Sequence, residues 1–452
     1  MSTPPQGAFA PAQTILELGD GFYDPVRAAD FPEHKLRFRN DRWAARVGLG
    51  ELDEAGWLRH FGRFEPLAGS LPQPLALRYH GHQFRVYNPD IGDGRGFLFA
   101  QVRDDQGRLL DLGTKGSGQT PYSRFGDGRL TLKGGVREIL ATEMLEALGV
   151  ETSKSFSLIE TGEALDRGDE PSPTRSAVLV RLSHGHIRIG SFQRLAYFGE
   201  AEALARLTAY VLRHYFGDES GDPVRLLDRV MARTARLAGQ IMAAGFVHGV
   251  LNSDNINVTG ECFDYGPWRF APNWDAGFTA AYFDHAGLYA FGRQAEAIHW
   301  DLFQLATCLR LLVAAEPLLA VMERFAGCYR AEFNAALLWR LGVRPGAEDA
   351  ALGDAVEQGL ATSGCDVFSF FQASFGGHIP EDFGPAFAPA RALLGGYRAR
   401  KPRAALLDGP VCALLIEEVE ALWAAIATRN DWAPLNAKIA AIRALGAALA
   451  DG

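Results

Sequence analysis

Two oxygen-bearing side chains, Asn255 and Asp264, stand nine residues apart and are the best candidates for chemistry in this sequence. Asn255 closes the run Val247-His-Gly-Val-Leu-Asn-Ser-Asp-Asn255, and Asp264 opens Asp264-Tyr-Gly266. An amide oxygen and a carboxylate suit Mg²⁺, which takes a few such ligands and completes its shell with phosphate and water oxygens. Asn and Asp also shape turns, so the pair alone fits a structural loop as well. Upstream, Lys115 precedes a glycine-rich stretch, and Arg181 and Arg188 flank Ser183-His-Gly-His186. A lysine point charge and two forked guanidiniums could hold the phosphates of a nucleotide. Read singly they are ordinary exposed cations. Glycines 116, 118, 126 and 128, with Gly92-Asp-Gly-Arg-Gly96 before them, would let backbone N–H groups approach phosphate oxygens.

The order of these residues adds information that their types lack. Protein kinases place a His-Arg-Asp run seven residues before a metal-binding Asn and follow it with Asp-Phe-Gly. Here His248 lies seven before Asn255, and Asp264-Tyr265-Gly266 follows. The slot of the kinase catalytic aspartate holds Val250, which accepts no proton, so ordinary kinase chemistry lacks its base. Lys115 and Glu138, 23 residues apart, occupy the places of the kinase phosphate-binding lysine and its helical carboxylate partner. The pairs His80/His82 and His184/His186 have no third and fourth ligand, and a zinc site is rejected.

The elements that would position these groups follow from periodicity. Apolar runs at 96–102 and 109–112 around Asp104-Asp-Gln-Gly107 predict a β-hairpin, with Lys115 at its end. Val136–Leu148 has helical spacing and Gly149 as a stop. Residues 176–190 read as strand-like. Helices are expected over 200–216, 224–244, 294–314, 318–339, 411–428 and 435–450. Three segments result: an irregular extension with a few short helices (1–70), a β-rich lobe (71–197) and a helical lobe carrying the metal motif (198–452). The class is α+β, with a cleft between the lobes as the natural ligand site.

Composition excludes several functions. The chain has 452 residues, 45 basic and 54 acidic side chains and a net charge of −9, which argues against a nucleic-acid binder. Five scattered cysteines suggest no disulfide framework. There is no basic, apolar secretory start and no apolar run of membrane-span length, so a cytoplasmic, membrane-free protein is expected.

Taken together, the motifs resemble the selenoprotein O family of kinase-fold protein adenylyltransferases. The resemblance runs from about Tyr79 to Gly266. Its most specific pieces are Gly92-Asp-Gly-Arg95, Lys115-Gly-Ser-Gly-Gln-Thr-Pro-Tyr-Ser-Arg124, Gly126-Asp-Gly-Arg129, His186-Ile-Arg188 and the His248–Asn255 run with Asp264-Tyr-Gly-Pro267. The resemblance implies a two-lobe, protein-kinase-like fold that binds ATP in a flipped orientation. AMP would pass to protein Ser, Thr or Tyr hydroxyls, with pyrophosphate released. It further implies that Lys115, Arg181 and Arg188 bind phosphates and that Gly92, Gly94, Arg95, Asp127, Gly128 and Asp264 contact the nucleotide. Asn255 and Asp264 would hold Mg²⁺ or Mn²⁺, and Asp254 would accept the proton that Val250 cannot. A phosphotransferase using Asp254 as a displaced base and a non-catalytic ATP-binding pseudokinase are the alternatives. The sequence departs from the family pattern at Arg85-Val-Tyr87, at Gly134-Gly135 and beyond about residue 390, and it has no C-terminal cysteine for redox control.

Overall fold

The computed structural model describes residues 7–168 and 170–450; the outermost residues of the first and last expected segments, 1–6 and 451–452, lie outside the described residues. Strands β1 (Ala10–Ala12), β2 (Tyr23–Pro25) and β3 (Lys35–Arg39) come first, followed by helices α1 (Asp41–Arg46) and α2 (Glu54–Phe61). β4 (Leu75–Leu77) leads into a small hairpin of β5 (Gly81–Gln83) and β6 (Val86–Asn88). β7 (Leu98–Arg103), β8 (Leu109–Lys115) and β9 (Leu130–Thr131) precede α3 (Leu132–Ala147), and β10 (Lys154–Leu165) and β11 (Thr174–Ser183) follow it.

From there the chain is helical. α4 (Ile189–Tyr197), α5 (Ala201–Phe216) and α6 (Pro223–Ala243) lead to a short ribbon of β12 (Phe246–Val247) and β13 (Arg269–Phe270). α7 (Gln294–Leu309), α8 (Ala315–Met322), α9 (Phe325–Leu341), α10 (Asp349–Ser363), α11 (Val367–Ser374), α12 (Ala388–Leu394), α13 (Ile416–Arg429) and α14 (Ala433–Leu449) complete the chain. Among the described residues the main sheet has nine strands, all antiparallel pairs, in the order β2-β4-β7-β8-β11-β10-β3, with β1 on β7 and β9 on β11.

Pairing in this sheet brings the first two cations together. In the β8–β11 ladder Arg181 stands opposite Gly113, and Lys115 opposite Leu179. Residues two apart share a face, so Lys115 and Arg181 project from the same face as diagonal neighbours. Glycine at 113 leaves room there, because a Cβ would fall 2.3 Å from His186 Nε2.

Helix α3 lies close on the sheet. Thr131 caps it by accepting the Gly134 N–H at 3.1 Å. At Gly135 a Cβ would stand 2.4 Å from Leu158 Cδ1 of β10. The Gly134-Gly135 departure from the family pattern is thus a packing feature that seats the helix.

Several expectations need correction. Residues 1–70 are not merely irregular: β1, β2 and β3 all join the sheet. The Lys35-Leu-Arg-Phe-Arg39 strand hides behind its charges, because Arg37 pairs with Glu160 of β10 and Arg39 donates to the carbonyls of Gly50 and Leu52. The strand-like segment 176–190 stops at Ser183, and Arg188 is the N-cap of α4 instead. The single helix expected over 318–339 is two, α8 and α9. Helices α10 to α12 were not anticipated.

Candidate functional site

A cavity of about 640 Å³ opens between the sheet and the helical part. Its wall carries seven cations (Arg95, Lys115, Arg124, Arg129, Arg167, Arg181 and Arg188) against the four carboxylates Asp93, Asp127, Asp254 and Asp264. The apolar share is small: Tyr79, Ile91, Tyr122 and Phe125 are its chief members. Such a lining has the chemistry for a polyanion.

The centre is a chain of buried ion pairs. Lys115 Nζ bonds to Glu138 of α3 and stands 3.0 Å from Asp264 Oδ1. Arg181 Nη1 donates to the same oxygen at 3.2 Å. Asp264 has a left-handed φ of 61°, a conformation Asp tolerates better than most residues. His248 steadies the preceding residue, its Nε2–H donating to the Phe263 carbonyl at 2.9 Å. Burial pushes the Asp264 carboxyl upward, but Lys115, Arg181, Arg188 and Arg95 together outweigh it and hold the pKa well below the usual range.

Arg188 is the second hub. Its Nη1 donates to the main-chain carbonyl of Asp254 at 3.1 Å, and its Nη2 lies 3.6 Å from Asp93 Oδ1. The guanidinium stacks 4.1 Å from the Tyr79 ring centroid. Asp254 sits beside it on the cavity wall, reached by Gln83 Nε2 at 3.4 Å, and its Oδ1 is buried with no hydrogen-bond partner. Burial pushes the Asp254 pKa up to about 6 against the pull of Arg188. The two carboxylates of the motif are therefore driven apart, Asp264 held ionised and Asp254 poised near neutrality.

The glycine-rich segments close one side. Gly92 and Gly94 line the cavity and pack against Tyr122, whose ring a Cβ at Gly92 would meet at 2.5 Å. Gly128 needs its φ of 71°, and a Cβ there would lie 2.2 Å from the Gly118 carbonyl carbon. Asp127 stands at the rim, half exposed, 2.9 Å from Arg167.

The cavity wall thus unites Gly92, Gly94, Arg95, Lys115, Asp127, Gly128, Arg181, Arg188, Asp254 and Asp264. Glu138 and Asn255 do not line it. Glu138 acts from behind Lys115, while the Asn255 Nδ2 donates to the Val250 carbonyl at 2.9 Å. Asp93, Arg124 and Arg167 were overlooked. Asp93 was legible inside Gly92-Asp-Gly94, whereas Arg167 reaches the site only because the β10–β11 turn folds over it.

The oxygen donors fit a divalent cation. The Asp264 carboxylate lies on the cavity wall and meets Lys115 and Arg181 through Oδ1, and the Asn255 amide, anchored through its nitrogen, keeps its oxygen for other use. Among the described residues no three His, Cys, Asp or Glu side chains group as a self-sufficient metal site. A cation here would depend on ligand oxygens, as magnesium–nucleotide complexes do.

Residues 8–375 match the family described as Protein adenylyltransferase SelO. A protein of Gloeobacter violaceus called Protein nucleotidyltransferase YdiU is 45% identical, with 95% of this chain and 94% of its own length covered. Its namesake from Synechocystis is 41% identical over 93% of this chain and 95% of its own. A third, from Synechococcus elongatus, reaches 49% over 78% of this chain and 71% of its own. With the match extending over most of its length, this chain belongs to the SelO family of protein adenylyltransferases.

Proposed function

We propose that this protein transfers AMP from ATP to Ser, Thr or Tyr hydroxyls of other proteins and releases pyrophosphate. The observation that carries the reading is the junction, on one cavity wall, of a polyanion-sized set of cations with Asp254, a buried carboxylate that has one oxygen free. In this reading the molecule is a kinase-like, two-lobe enzyme, with residues 71–197 and 198–452 as its lobes after the extension 1–70.

Each side chain then has a task. Lys115, aimed by Glu138, and Arg181 and Arg188 hold the phosphates, with Arg95 and the Gly92–Gly94 and Asp127–Gly128 segments around them. Asp254 accepts the proton of the incoming hydroxyl as its oxygen bonds to the α-phosphorus. The bond from that phosphorus to the β-bridging oxygen breaks, and the electron pair leaves with pyrophosphate, whose charge the guanidiniums offset. Asn255 and Asp264 would hold Mg²⁺ or Mn²⁺, which when bound adds further charge compensation for the phosphates.

Incubation with an acceptor protein and ATP labelled at either the α or the γ position tests the reading. Label is expected in protein from the α position only. Label from the γ position alone would establish phosphotransfer, and binding of ATP without label from either would establish a pseudokinase.

A further inference from the structure

Helices α13 and α14 lie beyond the stretch matched by the family, yet they pack on the helix that carries Glu138. Arg443 of α14 grips Glu143 of α3 with both arms of its fork, Nε to Oε2 at 2.8 Å and Nη2 to Oε1 at 2.6 Å. The Glu143 side chain is only 2% exposed, against 29% for Arg443, so the carboxylate, which Arg42 also reaches at 3.1 Å, is shielded from water in a way that surface carboxylates are not. Close by, Gly446 meets Ala147 backbone to backbone: a Cβ at 446 would stand 3.1 Å from Ala147 Cα. From α13, Glu420 pairs with Lys133 at 2.8 Å and lies 3.9 Å from Arg137.

Arg137 connects these contacts to the other half of the site. It precedes Glu138 on α3, donates to the Trp268 carbonyl at 3.0 Å and stacks on the Trp268 indole at 4.9 Å. Trp268 follows Asp264 by four residues. One helix thus touches both parts of the site: Glu138 reaches Lys115, and Arg137 reaches the segment carrying Asp264.

We propose that α13 and α14 form an intramolecular brace that sets the position of α3, and that Arg443, Glu420 and Gly446 are positioning residues for the transfer reaction. The inference rests on the reading of Lys115 and Glu138 given above. An α3 helix displaced by a fraction of its diameter still folds against the sheet through its apolar face. It no longer delivers Glu138 to Lys115 and Arg137 to Trp268 at once, and rate falls before nucleotide binding does.

The test uses the full chain with Arg443→Ala and Gly446→Val as independent ways to release or wedge the brace. Arg443→Lys serves as the conservative rescue. Arg330→Ala, which removes the pairs of α9 with Asp354 and Glu357 of α10, is the stability control. The expected result is a loss of kcat of about tenfold or more in both brace variants, with the Kd for ATP changed less than about threefold. The Mg²⁺ concentration for half-maximal rate should rise, and Arg443→Lys should restore most of the rate. A kcat within about twofold of wild type in both brace variants would overturn the inference, as would a loss that Arg330→Ala reproduces at equal thermal stability. Glu138→Ala separates the two readings. Full activity there would defeat the site assignment, whereas its inactivity beside active brace variants would defeat the brace alone.

Discussion

Asp264→Asn is expected to lower AMP transfer by about 10²–10³-fold and to make the ligand-free protein less stable. The carboxylate is the common partner of Lys115 at 3.0 Å and Arg181 at 3.2 Å, with Arg188 and Arg95 also drawing its pKa down. Neutralising it removes the carboxylate that Arg181 contacts and leaves Lys115 with Glu138 alone, a loss on the order of 3 kcal/mol. The sign with pH follows from its depressed pKa: the stabilisation is present above the unfolded carboxyl value and vanishes as pH falls through the lower folded value. The stability gap between wild type and variant should therefore be smaller at pH 3 than at pH 7 and narrow further with more acid. Asparagine is the right probe because it accepts the left-handed backbone of position 264, where alanine would add strain of its own. Chemical denaturation at pH 7 and pH 3, beside an assay of AMP incorporation, checks both halves. Undiminished transfer would remove Asp264 from the site.

The neighbouring carboxylate should behave in the opposite way. Asp254→Asn is expected to lower transfer by about 10²–10⁴-fold, the range for loss of a general base, yet to stabilise the protein without nucleotide or metal. Its folded pKa, about 6, lies above the usual 3.8, so folding disfavours the ionised form. The wild-type protein loses stability as pH rises from about 4 to about 6, by up to roughly 3 kcal/mol for two pKa units. The asparagine variant escapes that loss, so its advantage is absent at pH 4 and full at pH 8. Arg188 is little disturbed, because it binds the main-chain oxygen of residue 254 rather than the side chain. A variant less stable than wild type at pH 8 would show that the charge is compensated in the fold. Retained transfer would show that another group takes the proton.

Opposite stability effects from two aspartates of one motif have a simple origin. Asp264 faces four cations and is partly exposed, whereas Asp254 is buried and keeps an oxygen with no partner.

Much of the site was legible because its residues sit in short local motifs. His248, Asn255 and Asp264 are separated by fixed loop lengths, and the β8 hairpin and α3 follow from period-2 and helical spacing. Lys115 at the end of β8 and Glu138 in the second turn of α3 were thus placed by local rules. Arg188 was found for its charge but assigned to a strand, because an extended N-cap has the backbone of a strand without its ladder. The strands of residues 10–39 were missed because they are short and pair with partners far along the chain. Arg167 gained its place only through the folding of a distant turn onto the cavity, whereas Asp93 lay inside a motif already singled out.

Residue types and their spacing were enough to nominate the candidate site residues, to show that Val250 offers no base and to separate the two kinds of secondary structure. Those properties depend on a side chain's chemistry and on a few neighbouring bonds. The packing of distant segments determined everything else: the shared face of Lys115 and Arg181, the opposed environments of Asp254 and Asp264, and the contact of α13 and α14 with α3. Burial and charge proximity depend on atoms tens to hundreds of residues away, and no local pattern encodes a distance across the fold.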